Sequence, residues 1–177
     1  MNGGVRLKKY LPLFLVILFP YALLFAVVCM FTGFLMGSVF DGFGFVPTLF
    51  VLYVAALACS LVVFTTSLAR KRSALELLRM NMVIKIVHFP AYVAILILGL
   101  VYSLNIVTLF ISVFLLTYYI IAILLTGLIG LCGAIRGSSE GKTSKIYAVI
   151  HGILQFIYCL DIVSAIIVYR KVKKSTQ

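Results

Sequence analysis

Long stretches without charge alternate with short polar segments along the whole chain. The uncharged stretches cover residues 11–36, 42–69 and 86–135, and a fourth stretch, 146–169, carries Asp161 as its only charged residue. A helix needs about 20 apolar residues to cross the hydrocarbon core of a bilayer. Each stretch therefore predicts at least one transmembrane helix, and the third is long enough for two.

The pattern predicts an all-α fold, a polytopic transmembrane helical bundle in a single domain. The most polar point of the third stretch lies at residues 102–105, where we expect a tight turn between two helices. A short interfacial helix is expected in the linker 70–81, because its leucines and alanine lie between cations. The predicted membrane segments cover about 11–36, 46–68, 82–104, 106–135 and 146–169.

The charges predict how this bundle is oriented. The chain has 15 Lys and Arg against 4 Asp and Glu, and 64% of its residues are apolar, well above the ~45–50% of soluble domains. If the N-terminus is cytoplasmic, the cations of residues 1–10, 70–85 and 136–145 all lie on the cytoplasmic side, as the positive-inside rule requires. The loop 37–45 and the turn 102–105 carry no cation and fall outside. We therefore predict a multi-pass plasma-membrane protein with a cytoplasmic N-terminus, whose first apolar stretch is retained rather than cleaved.

The last segment fits this orientation less well than the first four. If residues 146–169 span the bilayer, the four cations of residues 170–174 fall outside. If the segment re-enters, they stay in the cytoplasm. The insertion cost of Asp161, about +2.5 to +3.5 kcal/mol, is offset by the many Ile, Leu, Val and Phe residues around it, which favours spanning. The prediction is therefore four spans plus a fifth membrane-embedded segment.

Polar residues within the predicted spans form a candidate intramembrane site, because ionisable groups at membrane depth are costly and usually functional. On the third span they recur at helical spacing and share one face, and the last segment carries a second polar face beside Asp161. One hypothesis is a proton or solute path between the two faces. The alternative, which we favour, is hydrogen bonding that holds the helices together, with snorkelling of Lys85 to the headgroups as a further alternative. The candidate residues are Asn81, Lys85, His88, Tyr92, His151, Gln155 and Asp161.

Catalytic and cofactor chemistry is not predicted. The four carboxylates lie in four different segments, and two histidines with four scattered cysteines give no metal-ligand spacing. The Gly141-Lys-Thr sequence resembles the end of a phosphate-binding loop, but Arg136 stands where that motif needs glycine. We therefore predict no catalytic residue, no cofactor and no metal. Since every basic cluster adjoins an apolar stretch, the expected partners are the lipid bilayer and its anionic headgroups, and not nucleic acid.

Residues 79–92 (RMNMVIKIVHFPAY), continuing into 95–99 (ILILG), resemble a segment of small uncharacterised membrane proteins of Firmicutes. The basic C-terminus after the last apolar stretch is similar too. That group has no established activity, so the resemblance implies a bacterial plasma membrane and little more.

Two functions are compatible with these features. The first is a non-catalytic accessory or partner-binding membrane protein, which would bind another membrane protein or a second copy of the chain. The second is a small transporter or channel-forming protein with a polar path between span three and the last segment. Small residues at helical spacing, at Gly33 and Gly37, Ala56 and Ser60, and Gly130 and Ala134, predict close helix packing.

Overall fold

A computed structural model describes the backbone of residues 3–32, 45–106, 109–157 and 160–177, and within these ranges the chain is helical with no strand. The pair Gly33 and Gly37 and the loop around Asp41 lie outside the described residues. The helices are α1 (Gly3–Thr32), α2 (Phe45–Ala69), α3 (Ala74–Ser103), α4 (Leu109–Ser139), α5 (Lys145–Leu154) and α6 (Leu160–Lys174).

Three helices in the described part are long and apolar enough to cross a membrane. They are Pro47–Ala69, Ala74–Ser103 and Ile111–Ser139. Leu13–Cys29 within α1 and Lys145–Leu154, which is α5, are shorter apolar helices. The all-helical, membrane-type fold predicted from the apolar pattern is therefore confirmed.

The predicted turn at 102–105 is confirmed as the end of a helix, whereas the linker 70–81 differs from its prediction. Helix α3 ends at Ser103, inside the predicted turn at 102–105. The linker does not form a separate interfacial helix, because α3 begins at Ala74 and continues without interruption into the third apolar stretch. Its Leu77 and Leu78 are fully buried, so these leucines pack in the protein interior and not at the headgroups.

Residues 146–169 differ from the single helix that their apolar pattern predicts. They form two helices, because α5 ends at Leu154, residues 155–157 turn, and α6 begins at Leu160. At about 1.5 Å per residue, neither helix alone covers the ~30 Å hydrocarbon core.

The described chain divides into two compact units, and α2, α3 and α4 contribute residues to both. Unit 1 comprises Met1–Cys59 and Pro90–Tyr119. Aromatic contacts dominate it: Phe19 stacks on Tyr118 with ring centroids 4.4 Å apart and an angle of 8°. The Tyr118 hydroxyl donates to the Leu49 carbonyl at 3.4 Å, and Ser112 Oγ donates to the Gly99 carbonyl at 2.8 Å, which joins α4 to α3.

Unit 2 comprises Ser60–Phe89 and Ile120–Gln177. At one end of it, the first turns of α3 pack on the last turns of α6 through Ala74, Leu78, Val168 and Val172. The Lys171 ammonium, also near the end of α6, lies 3.7 Å from the ring centroid of Tyr147 in the first turn of α5. Helices α5 and α6 are therefore an antiparallel hairpin that begins and ends beside the start of α3.

Candidate intramembrane polar site

The centre of the polar site is a buried ion pair between α3 and α6. Lys85 Nζ lies 2.6 Å from Asp161 Oδ2, and both side chains have no exposed surface. The same ammonium donates to Thr126 Oγ1 of α4 at 3.2 Å and to the Gln155 carbonyl at 3.4 Å. An ammonium has three N–H donors, so Lys85 is fully satisfied.

The break between α5 and α6 supplies electrostatic support for both charges. Gln155 is the C-cap residue of α5, so its carbonyl belongs to the negative end of that helix dipole, and it faces the Lys85 ammonium. Asp161 lies in the first turn of α6, at the positive end of that dipole. Since each charge meets the helix end of opposite sign, the interruption of the last apolar segment stabilises the pair in its charged form.

A hydrogen-bond chain runs from this centre along α5. Asn81 Nδ2 donates to Gln155 Oε1 at 3.0 Å, and Gln155 Nε2 donates to Ser164 Oγ at 3.3 Å. Ser164 Oγ donates to the His151 carbonyl at 3.3 Å and lies 2.9 Å from His151 Nδ1. This series of hydrogen bonds joins α3, α5 and α6, and it runs from the fully buried Asn81 to the partly exposed His151.

The structure brings five of the predicted residues together in unit 2. Asn81, Lys85, His151, Gln155 and Asp161 form one connected network, in which all but His151 are fully buried. His88 lies in unit 2 and is 1% exposed.

Tyr92 belongs to unit 1, where its ring packs edge-on against Tyr119 with centroids 4.7 Å apart. The one-face pattern predicted for the third span therefore combines members of two units.

Three participants were absent from the sequence-based prediction. Thr126 and Ser164 are hydroxyl residues inside apolar stretches, and nothing in their immediate neighbours distinguishes them from ordinary helix residues. Gly130 is the third, since a Cβ there would lie 2.6 Å from the Gln155 side chain and 2.7 Å from Asn81 Nδ2. The small-residue motif at Gly130 and Ala134 was the only sequence signal for this approach.

The arrangement joins α3, α4, α5 and α6 through hydrogen bonds and one ion pair. The donors of Lys85 are all used, and the amide of Gln155 bridges two neighbours. Asn81 Oδ1 and Asp161 Oδ1 are buried with no hydrogen-bond donor among the described residues. Within the described part of the chain, no group of three His, Cys, Asp or Glu side chains lies close enough to hold a metal ion.

No family model, curated protein or solved structure matches this chain. The resemblance of residues 79–92 to small membrane proteins of Firmicutes therefore stays a prediction.

Proposed function

We propose that this chain is a non-catalytic, multi-pass membrane protein that binds a protein partner within the bilayer. The observation that carries the proposal is the complete satisfaction of the buried Lys85 ammonium by Asp161, Thr126 and Gln155. A charged group that acts on a substrate must be able to exchange its partners. Because these partners come from three different helices or their ends, the network holds the hairpin to the bundle, and the outer surface is left for function.

The proposed topology has four spans, α1 to α4, and a re-entrant hairpin formed by α5 and α6. It places the N-terminus in the cytoplasm and the protein in the plasma membrane of a bacterium. Support comes from the antiparallel hairpin, whose basic end at Lys171 returns to Tyr147. With that geometry all cations except the buried Lys85 flank the cytoplasmic ends of helices, as the positive-inside rule favours.

The surface proposed for partner binding is the outer face of α2. Across an 18-residue stretch of the span Pro47–Ala69 only 22% of the residues are buried within the protein, against 56% across an 18-residue stretch of Ile111–Ser139. A helix that buries so little against its own chain has most of its apolar surface available for lipid or for another membrane protein. An accessory subunit or an immunity-type factor would use such a face, and so would a second copy of the chain.

Site-specific photocrosslinking in native membranes tests the partner-binding function. A photoreactive residue replaces Val51, which is 67% exposed on α2, and in a control replaces Leu100, which is 60% exposed on α3. We expect a discrete protein adduct from position 51 and none from position 100. Lipid adducts alone at both positions would contradict partner binding, and the mass of the adduct distinguishes a different protein from a second copy.

A small transporter is the second candidate, favoured by one observation. Asp161 Oδ1 is buried beside a helix break with no donor among the residues that the structure describes, and transporters often place their sites at broken helices. Purified protein in proteoliposomes, assayed with a pH-sensitive dye under an imposed potential, separates the two functions. Partner binding alone predicts no proton flux above empty liposomes, whereas a flux abolished by Asp161→Asn would establish transport.

A further inference from the structure

An apolar groove of about 740 Å³ lies in unit 2 between the C-terminal half of α4 and the hairpin helix α5. This volume is within the ~300–1,000 Å³ of small-molecule sites. Its lining includes Leu131, Ile135, Lys145, Val149, Ile153 and Phe156. The groove belongs neither to the ion-pair network nor to the α2 face proposed for partner binding.

The groove is closed on one side and open on the other. Ala148 and Gly152 of α5 are buried, and a Cβ at Gly152 would lie 2.9 Å from Leu131 Cδ1 of α4. The missing side chain at Gly152 therefore lets the two helices approach closely. Val149 and Ile153 also line the groove, yet each is 60% exposed. A flexible chain can thus enter laterally from the surroundings, which for these helices are lipid.

A single uncompensated charge marks one end of the groove. Lys145, the first residue of α5, is exposed and makes no ion pair with any residue that the structure describes. Arg136 and Lys142 nearby are both paired with Glu140. The start of α5 adds the partial positive charge of a helix N-terminus. An apolar channel with a free cation at one end matches an amphiphile with an anionic head.

We propose that this groove binds an anionic phospholipid, with one acyl chain along α4 and α5 and the phosphate at the Lys145 ammonium. Charge complementarity favours this occupant over an apolar partner helix, which would leave the cation without a counter-charge. The lysine stem can follow the groove while its ammonium reaches the headgroup level. The inference goes beyond the proposed partner binding and does not depend on it, because it requires only that the helices lie in a bilayer.

Native mass spectrometry of the purified protein, with equimolar phosphatidylglycerol and phosphatidylcholine, tests the site. We expect one retained lipid with a preference for phosphatidylglycerol. Lys145→Gln should lower that preference about fivefold, the factor that one cation near an anionic surface contributes. Lys145→Arg should retain the preference. The control Lys173→Gln, which changes an exposed cation of α6 away from the groove, should have no effect.

A second pair of variants tests whether the apolar lining of the groove holds the acyl chain. Val149→Trp fills the groove and should abolish lipid retention, whereas Ile146→Trp, at a position 74% exposed and outside the lining, should not. If Lys145→Gln and Lys173→Gln lowered the preference for phosphatidylglycerol equally, the preference would come from the overall positive charge of the protein, and the proposed site would be overturned. Equal retention in the two tryptophan variants, or a protein segment crosslinked to position 149, would overturn it too. Thermal unfolding without added lipid confirms that each variant is folded.

Discussion

At the scale of single residues, the Lys85–Asp161 pair has a cost that its surroundings must offset. Taking two charges out of water is expensive, and their attraction compensates only when the geometry is good and further hydrogen bonds are made. Here Thr126 and the Gln155 carbonyl accept the remaining hydrogen bonds of the Lys85 ammonium, and the positive end of α6 stabilises the Asp161 carboxylate. The pair therefore joins α6 to α3 through Asp161 and Lys85.

Because removing either member of this pair leaves the charge of the other unpaired, the losses of stability from the two removals should not add. We expect Lys85→Met and Asp161→Asn each to lower the free energy of unfolding by about 3–5 kcal/mol, because each leaves an uncompensated buried charge. The double variant should be less destabilised than the sum of the two losses. Unfolding in mixed detergent micelles measures this, with Lys173→Met as a control at an exposed cation of α6. Additive losses would mean that the two charges do not stabilise each other.

Gly130 provides a second test at this scale. Gly130→Ala places a methyl group against Gln155 and Asn81, and overpacking of this kind costs about 1–3 kcal/mol. Gly99→Ala is the matched control, because its Cβ would lie 3.9 Å from Ser112 Oγ, an ordinary contact. Alanine is the better helix former by up to about 1 kcal/mol, so this control should unfold at the same or a higher temperature. Similar destabilisation of both variants would show that Gly130 is not a specific point of close approach.

Contacts between residues close in the sequence could be predicted for this site, whereas contacts between distant residues could not. Helical periodicity places Asn81, Lys85 and His88 on one face, and the structure buries all three. The partner of Lys85 is 76 residues away, and their contact depends on the break after Leu154. That break has no strong sequence signal, since no proline or glycine marks residues 155–161. Local patterns thus located the polar groups, whereas their pairing required the tertiary fold.

At the scale of elements, Glu140 connects the end of α4 to the start of α3. Its Oε1 accepts from the Ala74 N–H at 2.8 Å and lies 3.4 Å from Arg136 Nη2, and its Oε2 lies 2.8 Å from Lys142 Nζ. Partial burial raises the pKa of Glu140, but the hydrogen bonds from Lys142 and Ala74 and the positive charge of Lys142 and Arg136 outweigh it, so the pKa is lower than usual. Glu140 lies between the predicted segments 106–135 and 146–169, so the apolar pattern alone assigned it no structural role.

The depressed pKa of Glu140 predicts a specific acid sensitivity. A carboxylate whose pKa is lower in the folded state adds stability above its unfolded pKa and loses it as the pH falls through the folded value. Glu140→Gln should therefore have a lower Tm than the parent protein at pH 7. The difference in Tm between the two proteins should become smaller as the pH falls below about 4.5, close to the ordinary pKa of glutamate. Thermal unfolding of both proteins across pH 3 to 7 measures this difference in Tm. A difference that does not change with pH would contradict the ionic role of Glu140.

The elements themselves were predictable where one apolar stretch makes one helix. The expected segments 46–68, 82–104 and 106–135 correspond to α2, α3 and α4, although α3 begins eight residues earlier, at Ala74. Residues 146–169 are the exception. Their hydrophobicity is sufficient for a span, but the polar partners on α3 and α4 stabilise a break within them. Insertion energies treat a helix surrounded by lipid, and so they omit this stabilisation.

At the scale of the whole molecule, the basic segments of unit 2 meet at one end. Arg136 Nε donates to the Arg72 carbonyl at 3.0 Å, which joins the end of α4 to the linker before α3. Val172, in the last turn of α6, packs against Ala74 at the start of α3. The cations of the linker, of the loop after α4 and of the C-terminal tail are therefore neighbours. The proposed re-entrant hairpin would keep all of them on one side of a bilayer.

This arrangement makes a prediction about which side of the membrane the C-terminus occupies. In a variant without native cysteines, Gln177→Cys should behave like Ser139→Cys and react with a membrane-impermeant maleimide only after intact cells are permeabilised. Asn105→Cys should react in intact cells, because it follows the far end of α3, about 45 Å along the helix from Ala74. Labelling of position 177 in intact cells, with position 139 still protected, would mean that the last segment crosses the bilayer. The antiparallel hairpin, in which the Lys171 ammonium lies 3.7 Å from the Tyr147 ring, could not then form as described.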